Sequence, residues 1–160
     1  MKTRNCRICA GKLKKIINFK KVALSGTFLL KNEIKKEKKY FLSLGICKYC
    51  KHIQIQNVIS PKKLFDYYEW ETGVSKSNIN LIKDLLSKLN KKIKINKNSK
   101  FFEIASNDGT LLKEVKSLHK SKILGIDPAK NLKKLALEKK IPTIVGYFSF
   151  LKAKSIKKKY

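Results

Sequence analysis

The sequence from Lys100 to Leu112 reads KFFEIASNDGTLL, and this stretch decides the fold of the second half of the chain. Its first residues are typical of a buried strand, the small and polar residues that follow are typical of a tight loop, and the last three begin a helical pattern. In nucleotide-binding α/β folds, this order points the backbone N–H groups of the loop and the helix N-terminus at a ligand. A second predicted strand, Lys122 to Ile126, ends on Asp127, 18 residues after Gly109. Such folds place a carboxylate on a ribose diol at about this distance.

The loop favours one class of nucleotide ligand. Gly109 is its only glycine, so the dinucleotide fingerprint G-x-G-x-x-G is absent. Glu103 and Asp108 would repel a pyrophosphate but tolerate the positive sulfonium of S-adenosylmethionine (SAM). An ordinary βαβ unit with a polar turn is the alternative. We predict that Asp127 accepts hydrogen bonds from the ribose hydroxyls and that five further residues line the cofactor site: Glu103, Ala105, Asn107, Asp108 and Gly109.

All four cysteines fall into two C-x-x-C pairs, Cys6 with Cys9 and Cys47 with Cys50. Two thiolates three residues apart converge on one ion, and two such pairs form the closed tetrahedral site of a structural zinc. The pairs are separated by 37 residues, more than in the usual zinc ribbon, so we expect a β-rich insert between them. Free thiols or two separate redox motifs are the alternatives.

The net charge of +28 and the pI near 10.1 are typical of proteins that bind nucleic acid or anionic surfaces. However, the cations are almost all lysine, with Arg4 and Arg7 the only arginines, and they are dispersed along the chain. The abundance of Lys, Asn and Ile is typical of a very AT-rich genome. We therefore expect no specific nucleic-acid partner. No secretory signal or membrane-length apolar run occurs, so we expect a cytoplasmic protein that does not bind a membrane.

The sequence predicts three regions: a zinc-binding module over residues 1–60, a connecting helical region over 61–98, and the start of a SAM-binding domain over 99–160. In the connecting region, Ser77 to Asn90 has an apolar stripe at helical spacing that we expect to be core. The aromatic segment from Tyr67 to Trp70 is interpreted as a packing plug between modules or as a wall over a ligand pocket. We expect the last residues, Lys152 to Tyr160, to form a basic tail. Together these regions predict an α/β protein with a small β-rich module followed by the first part of a Rossmann-like sheet.

Several motifs together resemble one family. Gln54 follows the second cysteine pair, and the segments Leu64 to Trp70 and Thr72 to Ser75 match L-F-x-x-Y-x-Y and its Ser/Gly-rich continuation. Glu103 to Leu112 then matches E-I-G-S-N-D-G-T-L-L, and Gly125 to Ala129 matches G-x-D-P-A. From Cys6 to about residue 150, the chain resembles the zinc-binding sugar C-methyltransferases, SAM-dependent enzymes of deoxysugar biosynthesis.

The resemblance implies a class I methyltransferase fold, a structural Zn²⁺, SAM as cofactor, and Tyr68 and Trp70 beside the cofactor. Two residues depart from the family pattern, since Ala105 replaces the first glycine of the SAM loop and Trp70 stands where the family usually has tyrosine. Family members continue beyond the length of this chain with a catalytic segment. We therefore expect an N-terminal part that is inactive alone, with its catalytic residues unknown.

The resemblance also implies a partner, a nucleotide-linked keto sugar in the intact enzyme. Two alternatives stay open at this point. One is a remnant that pairs with a separately encoded C-terminal half. The other is a stand-alone zinc-ribbon module that binds nucleic acid or a partner protein, although such a module would need neither the SNDG nor the D-P-A motif.

Overall fold

The chain divides into two compact units in this computed structural model, which describes residues 3–157. The first unit ends at Leu64 and the second begins at Phe65. The predicted zinc-binding module and the predicted SAM-binding region extend into residues 1–2 and 158–160, which lie outside the described residues.

The first unit is built on an antiparallel sheet in the order β1-β2-β3. Its strands are β1 Leu13–Ala23, β2 Lys39–Cys47 and β3 Ile53–Ile55, and a 3₁₀ turn covers Ile34–Lys36. Strand β1 has irregularities in its register on β2, and most of its side chains are exposed. The β-rich insert expected between the two cysteine pairs is therefore present.

The second unit contains a parallel sheet in the order β4-β5-β6, with helices between its strands. Its elements are a 3₁₀ turn Thr72–Val74, α2 Lys76–Lys92, β4 Lys100–Ile104, α3 Thr110–His119, β5 Lys122–Asp127, α4 Lys130–Glu138, β6 Thr143–Val145 and α5 Phe150–Lys157; the short helix α1 Pro61–Phe65 precedes them. The α/β class is thus confirmed as one antiparallel and one parallel sheet, whereas the complete Rossmann-like methyltransferase sheet stays a prediction.

The apolar core of the second unit lies between the sheet and helices α2, α3 and α4. Its buried members are Ile82, Leu86, Leu112, Val115, Ile123, Ala136 and Ile141. The apolar stripe predicted for Ser77 to Asn90 consists of Leu81, Ile82, Leu85, Leu86 and Leu89. It is wider than the buried face of α2, because Leu81 and Leu85 are 66% and 52% exposed. These two residues are rotated about one quarter-turn from the face that carries Ile82 and Leu86.

The expectation of a basic tail after Lys152 was wrong for residues 152–157, which belong to helix α5. Lysine has good helix propensity, so a lysine-rich segment without Gly or Pro can continue as a helix. Among residues 3–157, no helix combines the length and the apolar character that crossing a bilayer requires.

Candidate metal centre and candidate active site

The four cysteine sulfurs of the first unit form one cluster. Every Sγ atom lies within 4.8 Å of the others, and the shortest separations are 3.4 Å from Cys9 to Cys47, 3.5 Å from Cys9 to Cys50 and 3.6 Å from Cys6 to Cys50. Thiolates that share one zinc at the usual Zn–S length lie about 3.8 Å apart. All four cysteines are free rather than paired in disulfides. The arrangement fits a four-thiolate zinc site.

The two C-x-x-C segments have the same backbone geometry. In each, the residue after the second cysteine is left-handed, Ala10 with φ 58° and Lys51 with φ 63°. Each of these residues donates its N–H to the carbonyl oxygen of the first cysteine of its pair, Ala10 to Cys6 at 3.0 Å and Lys51 to Cys47 at 3.2 Å. The repeated tight turn directs both thiols of a pair to the same side.

The ionisation of the sulfurs also fits a bound cation. Burial acts to raise the pKa of Cys47, but N–H groups of Cys50 and Tyr49 and the neighbouring thiols hold it at about 6. The N–H of His52 acts to lower the pKa of Cys50, but its three sulfur neighbours and burial raise it to about 12. Four adjacent thiols therefore cannot all ionise unless a positive charge lies among them.

Gly11 leaves the space that this cluster needs. A Cβ atom at this position would lie 2.5 Å from Cδ2 of Tyr49, 3.1 Å from Sγ of Cys47 and 3.3 Å from Sγ of Cys9. Because backbone and cysteine positions are fixed by the two turns, a larger residue could enter only by displacing the tyrosine ring.

In the second unit, the loop between β4 and α3 has an unusual backbone. Ala105, Asn107 and Gly109 all have positive φ, at 58°, 52° and 75°. Ser106, between two of them, donates its N–H to the carbonyl oxygen of Ile126 at 3.2 Å, which fixes the loop to strand β5. Asparagine and glycine tolerate this left-handed conformation, whereas alanine in it is strained.

Asp127, at the carboxyl end of β5, binds the same loop. One carboxylate oxygen accepts the N–H of Asn107 and the other accepts the N–H of Ala129, both at 2.8 Å. The side chain is only 7% exposed, yet it reaches a cavity beside the loop. Asp127 therefore joins the loop to the start of α4 and still presents an edge to a ligand.

The cavity of about 610 Å³ lies at the carboxyl ends of the parallel strands. Five predicted site residues line it: Tyr68, Trp70, Ala105, Asn107 and Asp127. Gly146, Tyr147 and Phe148, which follow β6, complete another side. Its size and its mixture of aromatic and polar walls are typical of small-molecule sites. For Tyr68 and Trp70, the structure favours the wall over the packing plug.

Asn107 and Asp108 hold the segment that carries the aromatic wall. The Asn107 amide donates to the carbonyl of Trp70 and accepts the N–H of Thr72, both at 2.9 Å. The fully buried Asp108 carboxylate accepts the N–H of Gly73 at 2.9 Å and forms an ion pair with Lys139 at 2.6 Å. Burial acts to raise the pKa of Asp108, but Lys139, Thr110 and the Gly73 N–H lower it.

Three predicted site residues do not line the cavity. Asp108 turns away from it toward Lys139, Gly109 caps helix α3, and Glu103 lies on β4 behind the loop. Burial raises the pKa of Glu103 to about 8, with repulsion from Asp108 and Asp127 as further causes. Its Oε2 atom is buried and has no partner among the described residues. Glu103 therefore holds a proton at neutral pH.

Sequence reasoning missed two parts of this site. Lys139 is one lysine among many, and nothing in its local pattern indicates the buried Asp108. Tyr147 and Phe148 follow a three-residue strand, and their only sequence signal is a glycine before two aromatic residues. Tyr147 donates a hydrogen bond to Asp66 at 2.7 Å, and burial together with Asp66 raises the pKa of the tyrosine to about 12.

Comparisons with known proteins bear on both units of the chain. Residues 6–65 match a protein family described as "Putative zinc binding domain", and this match covers all four cysteines. The C-methyltransferase NovU of Streptomyces niveus is 25% identical to the chain over 146 residues, which are 90% of this chain and 34% of NovU. The chain thus spans about a third of the length of this relative. Residues 6–65 are therefore similar to a zinc-binding domain, and most of the chain is similar to part of a C-methyltransferase.

Proposed function

We propose that the second unit begins a SAM-dependent methyltransferase domain, and that the protein takes part in C-methylation of a nucleotide-linked keto-deoxysugar. The observation that carries this proposal is the cavity beside the loop of Ala105 and Asn107, at the carboxyl ends of β4 and β5. Ligands of open α/β sheets bind at this edge. The relative NovU is named a C-methyltransferase, and the sugar substrate is inferred from the sequence motifs.

The residues around the cavity suit SAM. Each carboxylate oxygen of Asp127 accepts one backbone N–H and retains capacity for another donor, so the two ribose hydroxyls can bind there. Ile126, Pro128 and Phe148 offer an apolar wall for the adenine.

When bound, SAM supplies an electrophilic methyl group to a carbanion of the substrate. The chain's own part is to hold the cofactor through Asp127 and to exclude water with Tyr68, Trp70 and Phe148. The four thiolates would complete the coordination of a bound zinc and leave no open position, so such a zinc would stabilise the first unit. We assign no catalytic base among the described residues.

The test is calorimetric titration of the full chain with S-adenosylhomocysteine and with its 2′-deoxy counterpart. Changing the ligand leaves the backbone bonds of Asp127 intact, which Asp127→Ala would not. We expect the missing hydroxyl to cost about 1.5–3 kcal/mol, or roughly tenfold to a hundredfold in affinity. Equal affinity for the two ligands would remove Asp127 from the ribose site, and no binding of either would overturn the proposed cofactor.

Asp127→Asn completes the comparison. If Asp127 contacts the ribose, the 2′-deoxy substitution should cost much less affinity in Asp127→Asn than in the parent chain. Asp84→Asn is the matched control, because Asp84 is an exposed residue of α2 that pairs with Lys88. This control should leave both affinities unchanged.

A further inference from the structure

The first unit has a cavity of about 470 Å³ that is separate from the sulfur cluster. It is lined by Arg4, Asn5, Lys12, Leu13, Lys15 and Gln56. None of these residues is a cysteine of the sulfur cluster, and none belongs to the proposed cofactor site. Three of the six carry a positive charge, and none carries a negative one.

Backbone pairing brings these residues together. Asn5 and Lys12 form an antiparallel bridge, and Leu13 donates its N–H to the carbonyl oxygen of Arg4 at 3.0 Å. The N-terminal segment therefore lies along the start of β1. Lys15 follows on the same strand and pairs with Gly45 of β2.

Gln56 forms a polar surface inside this cavity. The residue is 4% exposed, and a Cβ atom at Gly45 would lie 2.9 to 3.1 Å from its side chain. Its amide lies 3.4 Å from Oγ of Ser43. A buried polar side chain thus lies beside three cations.

Positive charges greatly outnumber negative charges in the first unit. The first 64 residues contain seventeen Lys and Arg residues but only Glu33 and Glu37 as acids. Among the described residues, none of the three cavity cations forms a salt bridge, although Lys39 pairs with Glu37 elsewhere in the unit. Arg4 is one of two arginines in the chain, and its planar guanidinium suits two oxygens of one phosphate.

We propose that this cavity binds a small oligophosphate, with Arg4, Lys12 and Lys15 contacting its oxygens and Gln56 forming a polar wall beside them. Pyrophosphate carries several negative charges on adjacent groups, which matches three cations around one cavity. The site is in the first unit, so it is independent of the proposed cofactor cavity in the second. A failure of the chain to bind pyrophosphate can therefore be distinguished from a failure to bind the SAM analogues.

The test is titration of the full chain with inorganic pyrophosphate, using Lys15→Glu and Lys14→Glu as a charge-matched pair. Lys14 is the exposed neighbour of Lys15 on β1 but does not line the cavity. We expect Lys15→Glu to lower the affinity by about tenfold or more, because it removes a contact and adds repulsion. Lys14→Glu should lower it by only about twofold, because Lys14 does not line the cavity and its exposed charge is screened by salt. Zinc content is measured in both variants and should not change.

Three outcomes would overturn the proposal. Equal losses in the two variants would show that the general positive field attracts the anion. Absence of pyrophosphate binding by the parent chain would show that the cavity is no oligophosphate site. Tighter, Lys15-dependent binding of a single-stranded oligonucleotide than of pyrophosphate would identify nucleic acid as the occupant instead.

Discussion

The two units differ in what they bury. In residues 3–64, the buried hydrophobic side chains are Cys6 and Cys47, and both belong to the sulfur cluster. In residues 65–157, eleven hydrophobic residues are buried, from Ile82 to Ile141. The first unit also exposes large apolar side chains such as Phe28 and Phe41. We therefore expect the first unit to depend on a bound metal for a stable fold, whereas the second depends on an apolar core.

Removing the metal should have the largest effect and should act on the first unit alone. Structural zinc sites contribute about 10–16 kcal/mol of binding free energy, more than a sheet with so few buried side chains can replace. After treatment with a chelator, amide hydrogen exchange should show that β1 and β2 lose protection while β4 and β5 keep it. Cys47→Ser should behave in the same way. Unchanged protection of β2 without zinc would show that the first unit does not depend on a metal for its fold.

The matching test of the second unit is Leu112→Ala. Leu112 is fully buried between α3 and the sheet, so its truncation should cost about 2–5 kcal/mol of unfolding free energy. Denaturant unfolding measures this loss, and zinc content should stay the same. Leu137→Ala is the control, because Leu137 is 53% exposed and its truncation should cost only about 0.5 kcal/mol. A loss of zinc in Leu112→Ala would show that the two units are not stabilised separately.

Some site residues could be predicted from the sequence because local structure determines their positions. The cysteine cluster follows from spacing, because each C-x-x-C turn is local and all four cysteines have a partner. The loop from Ala105 to Gly109 is also local, since it directly follows a strand and precedes a helix. Asp127 could be placed because parallel strands end at the same edge of a sheet.

The cavity walls could not be predicted in the same way. Phe148 and Thr72 reach the cavity from segments far apart in sequence, and their side chains have no periodic pattern. Asp108 was expected at the ligand, but its carboxylate is used to hold Gly73 and Lys139. Sequence placed this residue on the loop correctly, yet the direction of its side chain depends on a lysine 31 residues away.

The stability of the second unit should depend on pH, because this unit contains Glu103. The pKa of Glu103 is about 8 in the folded chain, against 4.5 for an ordinary glutamate carboxyl. Between these values the folded state retains a proton that the unfolded state has lost, so stability falls as the pH rises from about 4.5 to about 8. One such group contributes at most about 1.4 kcal/mol per pH unit.

Glu103→Gln should remove this slope, since glutamine matches the shape of the protonated side chain and does not ionise. Urea unfolding at several pH values measures the difference between the parent chain and the variant. Glu138→Gln, at an exposed position of α4, serves as the control and should keep the slope of the parent. Parallel curves for the parent and Glu103→Gln would mean that Glu103 ionises normally in the folded chain.

The smallest expected effect concerns the strained loop. Ala105 has φ 58°, a conformation in which a Cβ atom costs about 1–2 kcal/mol. Glycine removes this strain. It also makes the unfolded chain more flexible, which lowers the unfolding free energy by about 0.5–1 kcal/mol. Ala105→Gly should therefore raise the unfolding free energy of the second unit by about 0.5–1 kcal/mol. Ala153→Gly, within helix α5, should lower it by about as much, because glycine is a poor helix former. Equal destabilisation by Ala105→Gly and Ala153→Gly would show that the left-handed backbone at Ala105 carries no strain.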